Sequence, residues 1–219
     1  MILYGSTISP FVRKVMAYSL EKGLDLELKP VSIADPDPDP DPDFRAVSPF
    51  AKMPALSDGD YGLADSSAII HYLEAKYPDP PLIPADPRER GRVVWFDEWA
   101  DTFLFACGAK MFFNRVVAPR FLGRDGDLDA ADTAERDDLP PLLDYLEGVI
   151  PDSGYLVGDR LTLADIAVAS PFANFRHLKL EIDASRYPRI VKYTGAMLSR
   201  PSFAPMVERE TAFLERAPA

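Results

Sequence analysis

The spacing of apolar positions changes along the chain, and the changes divide it into elements. Ile2-Leu3-Tyr4 is a short apolar run closed by Gly5, which predicts a strand and a turn. Ser9-Pro10 then reads as an N-cap followed by proline at the first helical position. That helix runs to about Lys22 and stops at Gly23, with Phe11, Val15, Tyr18 and Leu20 towards its buried side. Leu24 to Val31 alternates and predicts a second strand. Lys52-Met53-Pro54-Ala55-Leu56, ahead of Ser57-Asp58-Gly59-Asp60-Tyr61, reads as a bend, a short strand and a hairpin turn. Proline cannot donate to a β ladder, so Pro54 belongs at a strand's first residue or edge. A cis Met53–Pro54 bond has a modest cost and would turn the Met53 backbone outward. Asp65-Ser66 is a polar pair opening an amphipathic helix that ends near Tyr77.

The second half is helical throughout. The Pro-rich stretch from Pro78 to Pro84 predicts a boundary, with one domain at 1–77, a linker at 78–85 and an all-α domain at 86–219. Val93, Phe96, Ala100, Phe103, Cys107 and Met111 recur at spacings of three and four and form an apolar stripe. Trp95, Trp99, Ala106 and Phe113 make a second stripe, so this helix is buried on two faces or touches a partner or ligand. Gly123 to Asp129 reads as a loop, and Asp132 to Val149 as a helix interrupted near Pro140-Pro141. Thr162 and Asp165 have the spacing of a capping box, with Leu161 available to staple the entry. Tyr187-Pro188 and Ser199-Arg200-Pro201 bound the last helices.

The repeated Asp-Pro of residues 34–43 breaks these periods. Each proline removes a donor and restricts the residue before it, so the stretch predicts an extended, exposed, acidic spacer. A brief helical turn over 44–48 comes after it.

Composition narrows the classes. A chain of 219 residues is long enough for two small domains, and no apolar run is long enough for a transmembrane helix. The apolar opening strand has no basic lead-in and does not read as a signal peptide. The single cysteine, Cys107, excludes an internal disulfide and fits a reducing cytoplasm; its place in the apolar stripe makes it a core residue. A net charge of −11 argues against nucleic acid as a partner. His71 and His177 have no second ligand at metal spacing, so no metal site is indicated. Neither C-x-x-C nor a glycine-rich phosphate loop is present.

Taken together, Ser9-Pro10-Phe11, Lys52 to Leu56, Asp65-Ser66 and the string Tyr155 to Ile166 resemble the soluble glutathione transferases of the serine-type, bacterial-like kind, over nearly the whole chain. The resemblance implies a thioredoxin-like α/β N-terminal domain followed by an all-α C-terminal domain. It also implies a cytoplasmic enzyme of detoxification that conjugates glutathione, its co-substrate, to an apolar or aromatic electrophile, with no membrane partner. A glutathione-dependent isomerase, peroxidase or ether-cleaving enzyme uses the same first half. A non-catalytic binding or regulatory protein on this fold is the alternative from another class.

The resemblance assigns roles residue by residue. Ser9 would donate to the glutathione thiolate at a helix N-terminus, where the dipole also favours negative charge; as a helix cap alone it has a structural reading, and Ser6 and Thr7 share its loop. Arg13, one turn on, either adds positive charge or faces solvent. Asp65 and Ser66 would take the ammonium and carboxylate of the γ-glutamyl end. Met53, before Pro54, would offer its backbone to the cysteinyl part, and Lys52 would meet the glycine carboxylate or simply face solvent. The family often places further glycine-end contacts in a second helix, which the Asp-Pro loop here replaces or displaces; its five aspartates disfavour a carboxylate nearby. Trp99, Phe103, Phe112, Phe113 and Arg115 are candidates for an electrophile pocket between the domains. Phe50, four residues before Pro54, either anchors a homodimer or folds back on its own domain.

Overall fold

The apolar run at the N-terminus forms β1 (Ile2–Tyr4), and both of its edges are used. It pairs parallel with β2 (Glu27–Lys29) and antiparallel with β3 (Ala55–Asp58), which pairs antiparallel with β4 (Tyr61–Ala64). The strand order is β2-β1-β3-β4. Parallel pairing of β1 and β2 requires a crossover, supplied by α1 (Pro10–Glu21). Alternation along the strands sends side chains to opposite faces. Leu3 and Leu56 face each other across the ladder and are fully buried, whereas Tyr4 and Ala55 pack with Phe44 and Val47 of α2 (Pro42–Val47) on another cluster. α3 (Ser66–Lys76) packs against α1 and β3. The expected thioredoxin-like α/β arrangement is present.

The computed structural model describes residues 1–32 and 41–216. Within it the chain divides into two units, Met1–Leu82 and Ile83–Ala219. Most of the Asp-Pro repeat lies outside the described residues, but its end corrects one expectation. Asp41 and Pro42 are not part of an exposed loop: Asp41 is the N-cap of α2, accepting from the N–H groups of Asp43 (2.9 Å) and Phe44 (3.4 Å). Proline at the first helical position and aspartate at the cap open a helix even where repetition of the pair cannot continue one. A second helix is therefore present between β2 and β3. Asp41 also pairs with Lys29 at the end of β2 (2.7 Å), and that ammonium holds its carboxyl below the ordinary range.

α1 differs from its apolar pattern as well. Val15 and Tyr18 are buried, but Leu20 is exposed, and Arg13 and Lys14 are buried in its place. Arg13 is thus not solvent-facing.

The C-terminal unit is helical: α4 (Pro87–Trp99), α5 (Phe105–Phe112), α6 (Ala118–Phe121), α7 (Leu128–Thr133), α8 (Leu139–Val149), α9 (Leu163–His177), α10 (Pro188–Leu198) and α11 (Ala204–Arg216). Its centre is α9, buried on every face from Leu163 to Phe175 and packed by α4, α5, α10 and α11. A helix apolar all round belongs in a core. Three π-helical turns, at Ala100–Leu104, Phe113–Val117 and Ala134–Asp138, join neighbouring helices without a loop. Each widens the turn and slips the register of the helix beyond it. This explains two departures from expectation. Leu104, not Phe103, takes the buried place in the first stripe, and Phe103 is 54% exposed. The helix containing Pro140-Pro141 is not interrupted there, because a π turn ends at Asp138 and the prolines fall in the first turn of α8. Cys107 lies in the core as expected, its thiol donating to the Ala134 carbonyl and raised to about 11 by burial.

The start of α9 is held by a buried carboxylate. Asp165 accepts from the backbone N–H of Thr162 (2.9 Å) and of Leu156 (2.8 Å). The Thr162 hydroxyl adds a third bond (3.2 Å) and the Tyr193 hydroxyl a fourth (3.4 Å). Burial raises the Asp165 carboxyl to about 6 against the pull of these donors. At neutral pH it is therefore still an ionised acceptor.

Candidate functional site

Six of the residues singled out from the sequence meet around one hollow of the N-terminal unit. It has a volume of about 510 Å³, and Phe50, Lys52, Met53, Pro54, Asp65 and Ser66 are among the residues that line it. Residues from the bend before β3 and from the start of α3 are brought together because β3 and β4 form a hairpin, with Ala55 opposite Ala64.

The bend is held by a residue that sequence reasoning missed. The buried Ser48 hydroxyl accepts from Lys52 N–H (2.9 Å) and donates to Lys52 C=O (2.7 Å). One side chain thus closes the loop 48–52 on both backbone groups of its last residue. A serine that bonds nearby backbone in this way is an alternative to regular structure, and its only sequence signal is the turn dipeptide Ser48-Pro49. The Met53–Pro54 bond is cis. Phe50 projects from the loop and is 86% exposed, and Lys52 is exposed beside it.

Gly5 brings the loop that carries Ser9 close to this bend. Its φ is +151°, and a Cβ there would lie 2.5 Å from Val12 Cγ2 and 3.4 Å from Met53 Cβ. Only glycine allows so close an approach. Ser6, Thr7 and Ser9 are half-buried in the loop beyond it. Ser9 is the N-cap of α1: its N–H donates to Ser6 C=O (2.9 Å) and its own C=O accepts from Arg13 N–H (3.0 Å). Its hydroxyl makes no capping hydrogen bond. The helix start is secured by backbone and by Pro10, so the hydroxyl is not consumed in holding α1.

Asp65 is held in a backbone conformation unusual for a residue with a side chain, φ +82° and ψ 132°. Such a residue costs about 1–3 kcal/mol and persists only where its surroundings impose it. Its carboxylate accepts from Ala68 N–H (2.9 Å), and the helical ladder begins with Ile69 N–H donating to Asp65 C=O (3.0 Å). The N–H of Ser66 therefore lies ahead of the ladder, as the first N–H groups of any helix do. Ser66 is buried and lines the hollow. Lys14 reaches this helix start from α1, its Nζ donating to Ser67 Oγ (3.2 Å). Sequence reasoning did not single it out, since a lysine in an amphipathic pattern ordinarily faces water.

The remaining candidates lie in the helical unit. Trp99 and Phe112 are buried, and Trp99 packs on the Tyr145 ring at 5.3 Å. Phe103 and Phe113 are exposed, with the Arg124 guanidinium 5.5 Å from the Phe113 ring. Arg115 pairs with Asp132 (2.7 Å) and with Glu135.

Comparison with known proteins bears on both units. Residues 3–81 match the family model "Glutathione S-transferase, N-terminal domain", and residues 100–201 match "Glutathione S-transferase, C-terminal domain". A glutathione S-transferase of Hyoscyamus muticus is 33% identical over 211 residues, covering 95% of this chain and 98% of that protein. A maleylacetoacetate isomerase of Rattus norvegicus is 30% identical over 185 residues, covering 83% of this chain and 80% of the other. The solved structure of a glutathione S-transferase-I bound with lactoylglutathione superimposes with a TM-score of 0.80 at 26% identity, over 97% of this chain and 98% of that one.

Proposed function

The chain belongs to the glutathione S-transferase family, and from that premise we propose that it binds glutathione in the hollow beside Pro54, holds it as a thiolate at Ser9 and directs it at an apolar or aromatic electrophile. The observation that carries this reading is the convergence of Lys52, Met53, Pro54, Asp65 and Ser66 on one hollow. The γ-glutamyl carboxylate meets the N–H and hydroxyl of Ser66, where the helix dipole favours an anion, and its ammonium meets Asp65. The Met53 backbone pairs with the cysteinyl residue as an added strand would. Lys52 takes the glycine carboxylate. A free thiol has a pKa of about 8.5, and a donor hydroxyl with a helix N-terminus lowers it towards neutrality. Positioning thiolate and electrophile together supplies the rest of the acceleration. For the electrophile we propose Trp99, Phe103, Phe112, Phe113 and Arg115 of the helical unit, of which Phe103 and Phe113 are exposed and Trp99 and Phe112 are buried. Calorimetric titration with glutathione, followed by a conjugation assay with a generic aromatic electrophile, tests the reading. Absence of both binding and conjugation would overturn it.

The rat isomerase relative favours one second reading, a glutathione-dependent isomerase. The two differ in stoichiometry: a transferase consumes one thiol per turnover, whereas an isomerase returns it. Thiol titration during turnover distinguishes them.

Asp65→Asn is the sharper test of the γ-glutamyl assignment. Asparagine keeps an acceptor for Ala68 N–H and tolerates positive φ, so the helix cap survives while the charge is lost. Glutathione affinity is expected to fall by about 1.5–3 kcal/mol, with a smaller effect on turnover at saturation. Equal affinity of variant and wild type would remove the ammonium from Asp65.

The family reading also implies a homodimer, and Phe50 is the residue we place in its interface. A ring 86% exposed on a loop closed by Ser48 is presented rather than stored. Phe50→Ala is expected to loosen the dimer by about 2–4 kcal/mol, the scale of a hot-spot aromatic. Sedimentation over a dilution series decides it; a monomeric wild type, or a variant dimer of wild-type strength, would sink the assignment.

A further inference from the structure

Lys14 lies in the second turn of α1 and is 1% exposed, although a lysine ordinarily keeps its ammonium in water. Burying that group is costly unless hydrogen bonds hold it. Two contacts place its Nζ beside the hollow near Pro54. It donates to Ser67 Oγ (3.2 Å), in the first turn of α3, and lies 6.0 Å from the centre of the Phe11 ring. Phe11 lines the hollow, and so does Ser66, the residue before Ser67. Lys14 is not part of the lining, so whatever it does for a ligand passes through its neighbours. An ammonium only donates, which makes the Ser67 hydroxyl the acceptor in this pair. The dipole of α3 disfavours a cation at its N-terminus, so helix stability does not account for the placement. The entry to α3 does need a tie from outside. Asp65 holds φ +82°, a conformation that persists only where its surroundings impose it.

On the reading of the hollow as the glutathione site, we propose that Lys14 is a positioning residue for the γ-glutamyl end. α1 carries Ser9 at its N-terminus and Lys14 five residues on, and α3 carries Ser66 and Ser67 at its own. The bond from Lys14 to Ser67 ties the helix of the thiolate donor to the residue next to the one that takes the γ-glutamyl carboxylate. It thereby sets the span from Ser9 to Ser66 that the γ-glutamyl-cysteinyl arm of glutathione bridges. The role is one of position, not of charge, and needs only the bond to Ser67.

Lys14→Met keeps the length of the side chain without the donor, and Ser67→Ala removes the acceptor while leaving the ammonium in place. In calorimetric titration of the full chain with glutathione, each variant is expected to raise the Kd by about tenfold, since small misplacements of a binding group are costly. The double variant should lose no more than the larger single loss, because both substitutions remove one bond. In a conjugation assay the loss should fall on the KM for glutathione, with kcat and the electrophile's KM within about twofold of wild type. A role in packing alone would lower the melting midpoint and leave the Kd of the folded chain unchanged. If Lys14→Met melts early, Ser67→Ala, at a half-buried position, carries the test by itself. Folded variants with a Kd within about twofold of wild type, additive losses in the double variant, or a loss confined to kcat would each overturn the proposal. A wild-type chain that binds no glutathione overturns the reading of the hollow and this assignment together. Wild type and variants that bind it equally well overturn the assignment alone.

Discussion

Replacing Ser9 with alanine is expected to lower glutathione conjugation by about 10²-fold or more, while glutathione affinity changes little. The reason lies in where the hydroxyl stands. It is half-buried at the N-terminus of α1, and it makes no capping bond, so its removal leaves α1 anchored by Pro10 and the backbone. On the proposed assignment, what it takes away is one donor to a thiolate, an interaction worth about 3 kcal/mol. The loss should appear as an upward move in the apparent pKa of bound glutathione, read from the thiolate absorbance or the pH–rate profile. Each unit of that move corresponds to about 1.4 kcal/mol. A variant with unchanged turnover and unchanged pKa transfers the role to Ser6, Thr7 or the backbone groups of the loop.

The second large effect is on stability. Asp165→Ala is expected to destabilise the helical unit by about 2–5 kcal/mol, because it strands the buried N–H groups of Thr162 and Leu156 together. For a chain of this size that lowers the melting midpoint by about 10 °C. Asp165→Asn should rescue little. Its single oxygen can satisfy one of the two N–H groups, and its amide nitrogen would face the other as a second donor. An asparagine variant as stable as wild type would show that the two bonds do not carry the start of α9.

Much of this was readable before the structure. Ile2–Tyr4, Ser9-Pro10, Pro54 with its hairpin and the Thr162–Asp165 pair each combine a period with a punctuation signal, and each forms the element expected of it. The shared hollow was legible for a related reason: Met53-Pro54 and Asp65-Ser66 sit at the two ends of one hairpin, so locating the hairpin joins them. What escaped depends on events that leave no local pattern. A π turn shifts register without any breaker residue, so Phe103 and Leu104 exchange places. Burial of Arg13 and Lys14 is decided by what packs on α1, which a helical wheel cannot state. Ser48 acts through two backbone bonds that any serine in a turn is able to make.

The same serine has a consequence for how two distant events communicate. The loop it closes carries Phe50, and both Phe50 and the residue it grips, Lys52, line the hollow proposed for glutathione. On the proposed assignments, a subunit that seizes Phe50 and a ligand that fills the hollow would bear on one short piece of backbone latched by Ser48. Any preference of that backbone between two settings is felt by both, and thermodynamics makes the coupling symmetrical: the factor by which ligand tightens association is the factor by which association tightens ligand.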